Sequence, residues 1–429
     1  MPTLPRIRVV RIIDRLNIGG PSKHVTWLTA GLNPDEFESI LITGTVPPGE
    51  GDMGYFAADA GVTPIVINEM SREIGPRDLI VVARLLRQLW RFQPHIVHTH
   101  KAKAGAVGRV AAFLYRWLTP SALWLRPRSC RIVHTFHGHI FHSYYGPFKT
   151  RLFVAIERVL ARLATDRIIT ISEQQRREIG DDFRVGSPAQ LRVIPLGIDF
   201  DESIPPALAQ PAPGLRAEFA LGDEAILVGT AGRLCEVKNY GLLLRAAARV
   251  CKDSTLEPYF VIIGDGHLRP ELERLVQELG ISARVIFTGF RRDASALYRD
   301  LDLVALTSLN EGTPLTVIEG LNAGRAVVAT AVGGVVDLLG AQQEVSGRLT
   351  ICDHGVRVSG FDIETFAEGL RYLIERPQLR QEMGARGRAF VRKRLSKDRL
   401  IGEIEALYRE LVGTAEETAV QETAAMISK

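Results

Sequence analysis

Four charged residues set the problem posed by this chain: Glu311 and Glu319 with seven residues between them, and the cations Arg233 and Lys238. The first carboxylate lies in the stretch Thr307 to Gly324, which follows an apolar run, Leu303-Val304-Ala305-Leu306, short and dense enough for a buried parallel strand. The chain then turns at Gly312 and enters a helix, with Thr313 expected as its N-cap, Pro314 at its first position, Leu315 following and Gly324 closing it. A strand that feeds a helix through a glycine loop leaves unpaired N–H groups and a partial positive charge at the turn, which suits an anion. Arg233 and Lys238 belong to another such turn, after Gly232, and two fixed cations beside glycines suit a diphosphate. The competing reading is that both are ordinary solvated surface charges.

Other patterns limit the chemistry. Gly264-Asp265-Gly266 has Arg269 where a dinucleotide fingerprint needs a third glycine, and no P-loop pattern occurs, so neither an oxidoreductase nor a P-loop ATPase is supported. The histidines gather in the first half, at His95, His98 and His100 and at His134, His137, His139 and His142. With no cysteine or carboxylate within either cluster, a metal is not expected there. His137-Gly138 falls just past a strand expected over 131–135, where a neutral imidazole can hydrogen-bond a polar substrate. Local packing accounts for His134, His139 and His142.

These residues need a scaffold of alternating strands and helices. In the first half, strands are expected at 7–13, 39–43, 64–67, 95–99, 131–135, 167–171 and 191–195, with helices between them and the turn Gly19-Gly20 after the first strand. Residues 201–224 hold Pro205, Pro206, Pro211 and Pro213 and read as a linker. The alternation restarts over 225–396, an amphipathic helix is expected over 397–412, and the tail 413–429 is expected to be mobile. The result is an α/β chain of two Rossmann-like doubly wound domains, 1–200 and 225–396, with the ligand site expected in a cleft between them, beyond the carboxyl ends of their strands. At 429 residues, two domains are the default in any case.

The net charge of +4 is unevenly spread: residues 1–200 carry 26 Lys+Arg against 17 Asp+Glu, a balance of +9, which leaves −5 for the remainder. Four scattered cysteines, with no C-x-x-C pair, fit a reducing cytosol. Neither a signal peptide nor an apolar run long enough to span a membrane is expected.

In their order and at their strand ends, Gly232-Arg233 with Lys238, Gly264-Asp265-Gly266, Glu311-Gly312-Thr313-Pro314 with Glu319, and Ala329-Thr330-Ala331-Val332-Gly333-Gly334 resemble the retaining GT-B glycosyltransferases of family 4. His134-Thr135-Phe136-His137-Gly138-His139 is similar to that family's first-domain histidine turn. The resemblance runs over nearly the whole chain. It implies that Arg233 and Lys238 hold the donor diphosphate and that Glu319 binds the ribose hydroxyls. Glu311 and the backbone N–H groups of Gly312, Thr313 and Leu315 would contact donor sugar and phosphate, with Gly232, Gly264, Gly266 and Pro314 shaping the donor site. Gly20 would close over the diphosphate and His137 would hydrogen-bond the sugar. It also implies no metal and no cofactor, since Arg and Lys supply the electrostatics, and a front-face mechanism without an obligatory protein base. The acid and base roles of a glycosidase carboxylate pair therefore do not transfer to Glu311 and Glu319.

The family uses UDP-, GDP- and ADP-sugars, and UDP is favoured here. The acceptor is expected to be a glycan or a lipid-linked saccharide in surface polysaccharide synthesis, with the protein cytoplasmic and peripheral on the inner face of the plasma membrane. Basic amphipathic stretches at 77–92, 115–128 and 144–162 suit an anionic membrane surface, or else pack on a sheet. Two competing readings are an epimerase of the same fold, which turns over donor without acceptor, and a nucleic-acid-binding protein. No nucleic-acid-binding pattern is present.

Overall fold

The computed structural model describes residues 6–47, 50–71, 75–121, 126–138, 147–200, 214–253, 258–291 and 293–427. The chain divides into two compact units: Met1–Gly197 joined by Lys397–Lys429, and Ile198–Ser396. The linker expected at 201–224 falls outside the described residues up to 213, as do His139 and His142.

The first unit contains, in chain order, β1 (Ile7–Ile12), α1 (Gly20–Gly31), β2 (Phe37–Thr43), α2 (Gly54–Asp59), β3 (Ile65–Val66), α3 (Asp78–Phe92) and β4 (Ile96–His100). It continues with α4 (Ala102–Trp117), β5 (Arg131–Phe136), α5 (Pro147–Ala164), β6 (Arg167–Thr170), α6 (Glu173–Arg177) and β7 (Leu191–Val193). The sheet order is β3-β2-β1-β4-β5-β6-β7, with every pair parallel. β4 is buried at all five residues, as a strand covered on both faces must be. On one side, Val81, Leu85 and Leu89 of α3 and Ala104, Ala111 and Ala112 of α4 close over Val10, Ile12 and Val97. The short helix α2 does not stand out in the sequence, because six residues do not establish a helical period.

The second unit runs α7 (Leu215–Glu218), β8 (Leu227–Ala231), α8 (Tyr240–Asp253), β9 (Tyr259–Ile263), α9 (Arg269–Glu278), β10 (Val285–Gly289) and α10 (Ala294–Leu297). Then come β11 (Leu303–Leu306), α11 (Leu315–Asn322), β12 (Ala326–Thr330), α12 (Val335–Leu338), β13 (Gln342–Ser346), β14 (Leu349–Cys352), β15 (Gly355–Val358), α13 (Ile363–Ile374) and α14 (Pro377–Arg394). The order is β10-β9-β8-β11-β12-β15-β14-β13. It is parallel through β15 and ends in the antiparallel pairs β15/β14 and β14/β13. That three-stranded edge is absent from the sequence reading: β13 is polar and exposed throughout, so it has no buried face to show an alternation. α14 is missed as well, since Gly384 and Gly387 interrupt its helical pattern.

The last helix, α15 (Lys397–Ile427), continues past Gly413, where the sequence reading places the end of the helix, and belongs to the first unit. Leu400, Ile404, Leu407, Tyr408 and Leu411 pack on Val9, Leu28, Ile96, Val133 and Ile169. Glu405 accepts a bond from the Asn33 backbone N–H at 2.8 Å, and Arg409 pairs with Glu36 at 2.8 Å. Beneath it Arg11 is fully buried with no ion pair among the described residues, held by Ser39, Thr29 and the Tyr408 hydroxyl. Burial pushes the Arg11 pKa down, partly offset by Tyr408. Because Ile404 is fully buried in this core, Ile404→Ala is expected to destabilise the first unit by about 2–5 kcal/mol. Urea unfolding of the full chain checks this, and a loss within experimental error would mean that α15 is not part of that core.

Candidate functional site

In the second unit the turns after four neighbouring strands, β9, β8, β11 and β12, are bonded to one another. The Gly232 N–H donates to Ile263 O at 2.9 Å, Leu234 N–H to Asp265 O at 2.9 Å, and Leu309 N–H to Val237 O at 2.8 Å. On the far side Gly334 N–H donates to Gly312 O at 2.7 Å. Two of these crossings admit no side chain. A Cβ on Gly264 would stand 2.1 Å from Gly232 O, and one on Gly333, where φ is +49°, would stand 1.7 Å from Glu311 O. The glycines are therefore explained by backbone meeting backbone, and the crossings they permit form a rim of main chain at the strand ends.

Lys238 and Glu311 face each other across this rim, Nζ to Oε1 at 2.6 Å, and the same carboxylate oxygen accepts from the Ser308 hydroxyl at 2.6 Å. Lys238 ends a short 3-10 turn, Glu236–Lys238, and its carbonyl accepts from the Thr307 hydroxyl at 3.0 Å, which ties the turn to the end of β11. The lysine stem passes 3.4 Å from where a Cβ of Gly232 would be. Arg233 is exposed and its guanidinium has no ion pair among the described residues. The cation pair read from the sequence thus consists of one held lysine and one unheld arginine.

α11 begins one residue later than expected. Pro314, at φ −74° and ψ 118°, is extended and occupies the N-cap position, so Leu315 is the first helical residue and Thr313 lies outside the helix. A proline's fixed φ fits either place, and it is ψ that leaves Pro314 outside. The Thr316 hydroxyl donates to Ala231 O at 2.6 Å and binds the helix start to the end of β8. Glu319 stands one turn further on, half-buried. Gly324, at φ +76°, ends the element as expected. Two buried phenols lie beneath. Tyr298 faces Glu319 and Thr316 without a well-formed hydrogen bond, and Tyr240 approaches Gly232. Burial raises both pKa values; next in effect are the charge of Glu319 on Tyr298, and those of Cys235 and then Glu311 on Tyr240. Both phenols stay protonated. Nothing in the sequence pattern distinguishes them from ordinary core aromatics.

In the first unit the ends of β4 and β5 bring His100 and His137 together, Nδ1 to Nε2 at 3.0 Å. His24 of α1 packs edge-on to His137, with ring centroids 4.7 Å apart, and Gly20 is the first residue of the same helix. The ligand nitrogens of His24, His100 and His137 lie within 4.8 Å of one another, the one grouping with metal-holding spacing among the described residues. Both ring nitrogens of His24, Nε2 of His100 and Nδ1 of His137 are buried without a hydrogen bond. His24 lies outside both local histidine clusters of the sequence and comes from a third element, α1. Two neighbouring histidines are hydrogen-bonded within the unit: His98 joins the Tyr408 hydroxyl at 2.6 Å and the Thr135 hydroxyl at 2.7 Å, and His134 Nδ1 joins Thr99 at 2.9 Å while its Nε2 is buried without a partner.

Two α/β sheets, the first parallel and the second parallel except at its β15-β14-β13 edge, carry these strand-end turns, and two family descriptions match in sequence. Residues 19–197 match the "Glycosyl transferase 4-like domain" and residues 213–390 match "Glycosyl transferases group 1". The chain is a GT-B glycosyltransferase. It is 28% identical over 281 residues to the UDP-Gal:alpha-D-GlcNAc-diphosphoundecaprenol alpha-1,3-galactosyltransferase of Escherichia coli, covering 64% of this chain and 68% of that one. It is 30% identical over 314 residues to the D-inositol 3-phosphate glycosyltransferase of Mycobacterium tuberculosis, covering 69% of this chain and 56% of that one. The fold matches the crystal structure of Anabaena HepE in complex with UDP and glucose, with a TM-score of 0.73, 19% identity, and coverage of 94% of this chain and 100% of that one.

The buried histidines make the first unit acid-sensitive. Burial is the largest cause holding His24, His98, His100, His134 and His137 below the ordinary value of 6.5, His24 at about 3, with neighbouring cationic and histidine groups adding to it. A base whose pKa is depressed by folding binds its proton only in the unfolded chain, so stability is complete above about pH 6.5 and falls as pH drops below it. Each such histidine contributes a slope of about 1.4 kcal/mol per pH unit in that window. Urea midpoints measured across mild acid should fall steeply, and a flat profile would mean that the imidazoles already take up protons in the folded protein.

Proposed function

We propose that this protein transfers a sugar from a nucleotide-sugar donor, with UDP-sugars favoured, to a glycan or lipid-linked acceptor with retention of configuration, in surface polysaccharide synthesis. The observation that carries the reading is the rim of the second unit, where Lys238, Glu311 and the start of α11 meet beside exposed Arg233. Lysine, arginine and the helix N-terminus suit a diphosphate, and Glu319, one turn into α11, suits the vicinal hydroxyls of a ribose. The UDP and glucose bound in the HepE crystal, and the UDP-sugar and undecaprenol-linked acceptor in the name of the Escherichia coli relative, support the same choice.

In this scheme the bond from the anomeric carbon to the diphosphate oxygen breaks while the acceptor oxygen bonds to the same face. The acceptor's proton passes to the departing diphosphate. Lys238 and Arg233 stabilise the charge that develops there, the part a metal ion plays elsewhere. Glu311 enters as the partner that the incoming diphosphate displaces from Lys238 and then contacts the donor sugar. Neither carboxylate acts as acid or base. The place of action is the cytoplasm, at the inner face of the plasma membrane.

UDP is expected to raise the melting temperature more than GDP or ADP, since a ligand at about 100 times its Kd stabilises by about 2.7 kcal/mol. A panel with no response to any of the three would overturn the reading. Lys238→Ala and Glu319→Ala should each lower sugar transfer by about 10²- to 10³-fold with near-native circular dichroism. Near-normal turnover in Lys238→Ala would remove the diphosphate role. Excess EDTA should leave the rate unchanged; a loss restored by zinc would instead give the His24, His100 and His137 group a part in the reaction. Donor interconversion without any acceptor would favour the epimerase.

A further inference from the structure

Three imidazoles from three separate elements converge at the strand ends of the first unit. His100 closes β4, His137 follows the last residue of β5, and His24 stands on α1. His100 Nδ1 and His137 Nε2 are 3.0 Å apart, and one ring nitrogen from each of the three residues lies within 4.8 Å of the other two. Backbone sets this spacing: β4 and β5 are paired strands, with His100 opposite Thr135.

Hydrogen bonding does not account for the cluster. The His100–His137 contact is the one hydrogen bond that these rings make among the described residues, and the four remaining ring nitrogens are buried without a partner. A buried polar atom left unpaired costs its desolvation, so four of them at one place call for a group that accepts nitrogen lone pairs. Imidazoles without carboxylates suit zinc, copper, iron or nickel, whereas magnesium and calcium want oxygen ligands.

We propose that His24, His100 and His137 form a binding site for Zn2+, or a divalent ion of the same class, with a solvent-derived fourth ligand. Nitrogens at about 2.0–2.1 Å from a tetrahedral zinc stand about 3.3–3.4 Å from one another. His100 and His137 are already near that separation, and His24 closes the rest by turning, which breaks no hydrogen bond because neither of its nitrogens has one. The way in lies at His137, the one partly exposed ring, beside exposed Gly138. Nearby cations oppose a bare dication: besides burial, the charge of Arg11 lowers the pKa of His24, and that of Lys101 contributes at His137. Metal-bound water that releases its proton to solvent leaves a hydroxide, which offsets part of that charge. The outer nitrogens, His100 Nε2 and His137 Nδ1, have no acceptor, and loss of such an outer shell weakens metal binding by about 10–100-fold. The ion is therefore exchangeable. When bound, it ties α1, which begins at Gly20, to the ends of β4 and β5. No step of sugar transfer passes through it, so the expected indifference of the rate to EDTA stands.

The full chain, stripped with EDTA and dialysed against Zn2+, tests the site. One equivalent per chain is expected, with a rise in melting temperature that Mg2+ does not reproduce. X-ray absorption at the zinc edge should show three imidazoles at about 2.0–2.1 Å. His24→Phe keeps a ring at this position and removes no hydrogen bond, so near-native circular dichroism is expected with Zn2+ affinity lowered by about 100-fold or more. A sulfur ligand or fewer than three imidazoles in the spectrum, no melting shift with Zn2+, an equal shift with Mg2+, or unchanged affinity in His24→Phe would overturn the proposal. The absorption measurement uses the unaltered chain and decides the matter even where the variant does not fold. The site does not rest on the donor reading, and absence of the UDP shift with zinc binding intact would count against that reading alone.

Discussion

The Lys238–Glu311 contact at 2.6 Å is the constraint on which the second unit's site depends. A half-buried lysine needs a counter-charge, and here the counter-charge arrives from a turn seventy-three residues away in sequence. For the two to meet, the turns after β8 and β11 must be locked together, which the Leu309 N–H to Val237 O bond and the Thr307 hydroxyl to Lys238 O bond accomplish. Gly264 and Gly333 then remove the side chains that would hold adjoining turns apart. Backbone packing, ion pair and helix start form one connected rim, so Lys238 and its counter-charge Glu311 are held at a defined place.

The first unit solves a different problem. Its strand ends carry imidazoles in a core too dry to ionise them, with Arg11 nearby as a buried cation. α15 closes this region: its Tyr408 hydroxyl meets both Arg11 and His98. A helix that follows the whole of the second unit in sequence is thus part of the first unit's core, and the first unit cannot be complete until the chain has returned. The neutral histidines that result are hydrogen-bonding groups at neutral pH, suited to hydroxyls more than to phosphates.

Much of the architecture was legible because parallel strands covered on both faces are written as dense apolar runs and their helices as amphipathic periods. β9, β11, β12 and α3 are examples. Elements without either signal were not legible. β13 has no buried face, α14 contains two glycines, and α2 is too short for a period. The same holds within the site. Glu311, Lys238 and Glu319 announced themselves by type, spacing and neighbouring glycines, whereas Ser308, Tyr240 and Tyr298 matter only through their neighbours in space. His24 illustrates the limit most clearly, since it lies seventy-six residues from His100 and shares no local pattern with it.

The sequence by itself determined the class of fold, the strand ends at which charged residues and glycines stand, and the absence of nicotinamide and P-loop patterns. Each of these follows from local chemistry: apolar period, turn residues and residue spacing. Only the tertiary structure decided who meets whom. Glu311 neutralises Lys238 while Arg233 is left exposed, Pro314 stands outside its helix, three histidines from three elements share one buried place, and the second apolar face of α5 faces outward. Those outcomes depend on long-range packing and on which side of a helix the sheet occupies, and a linear pattern carries neither.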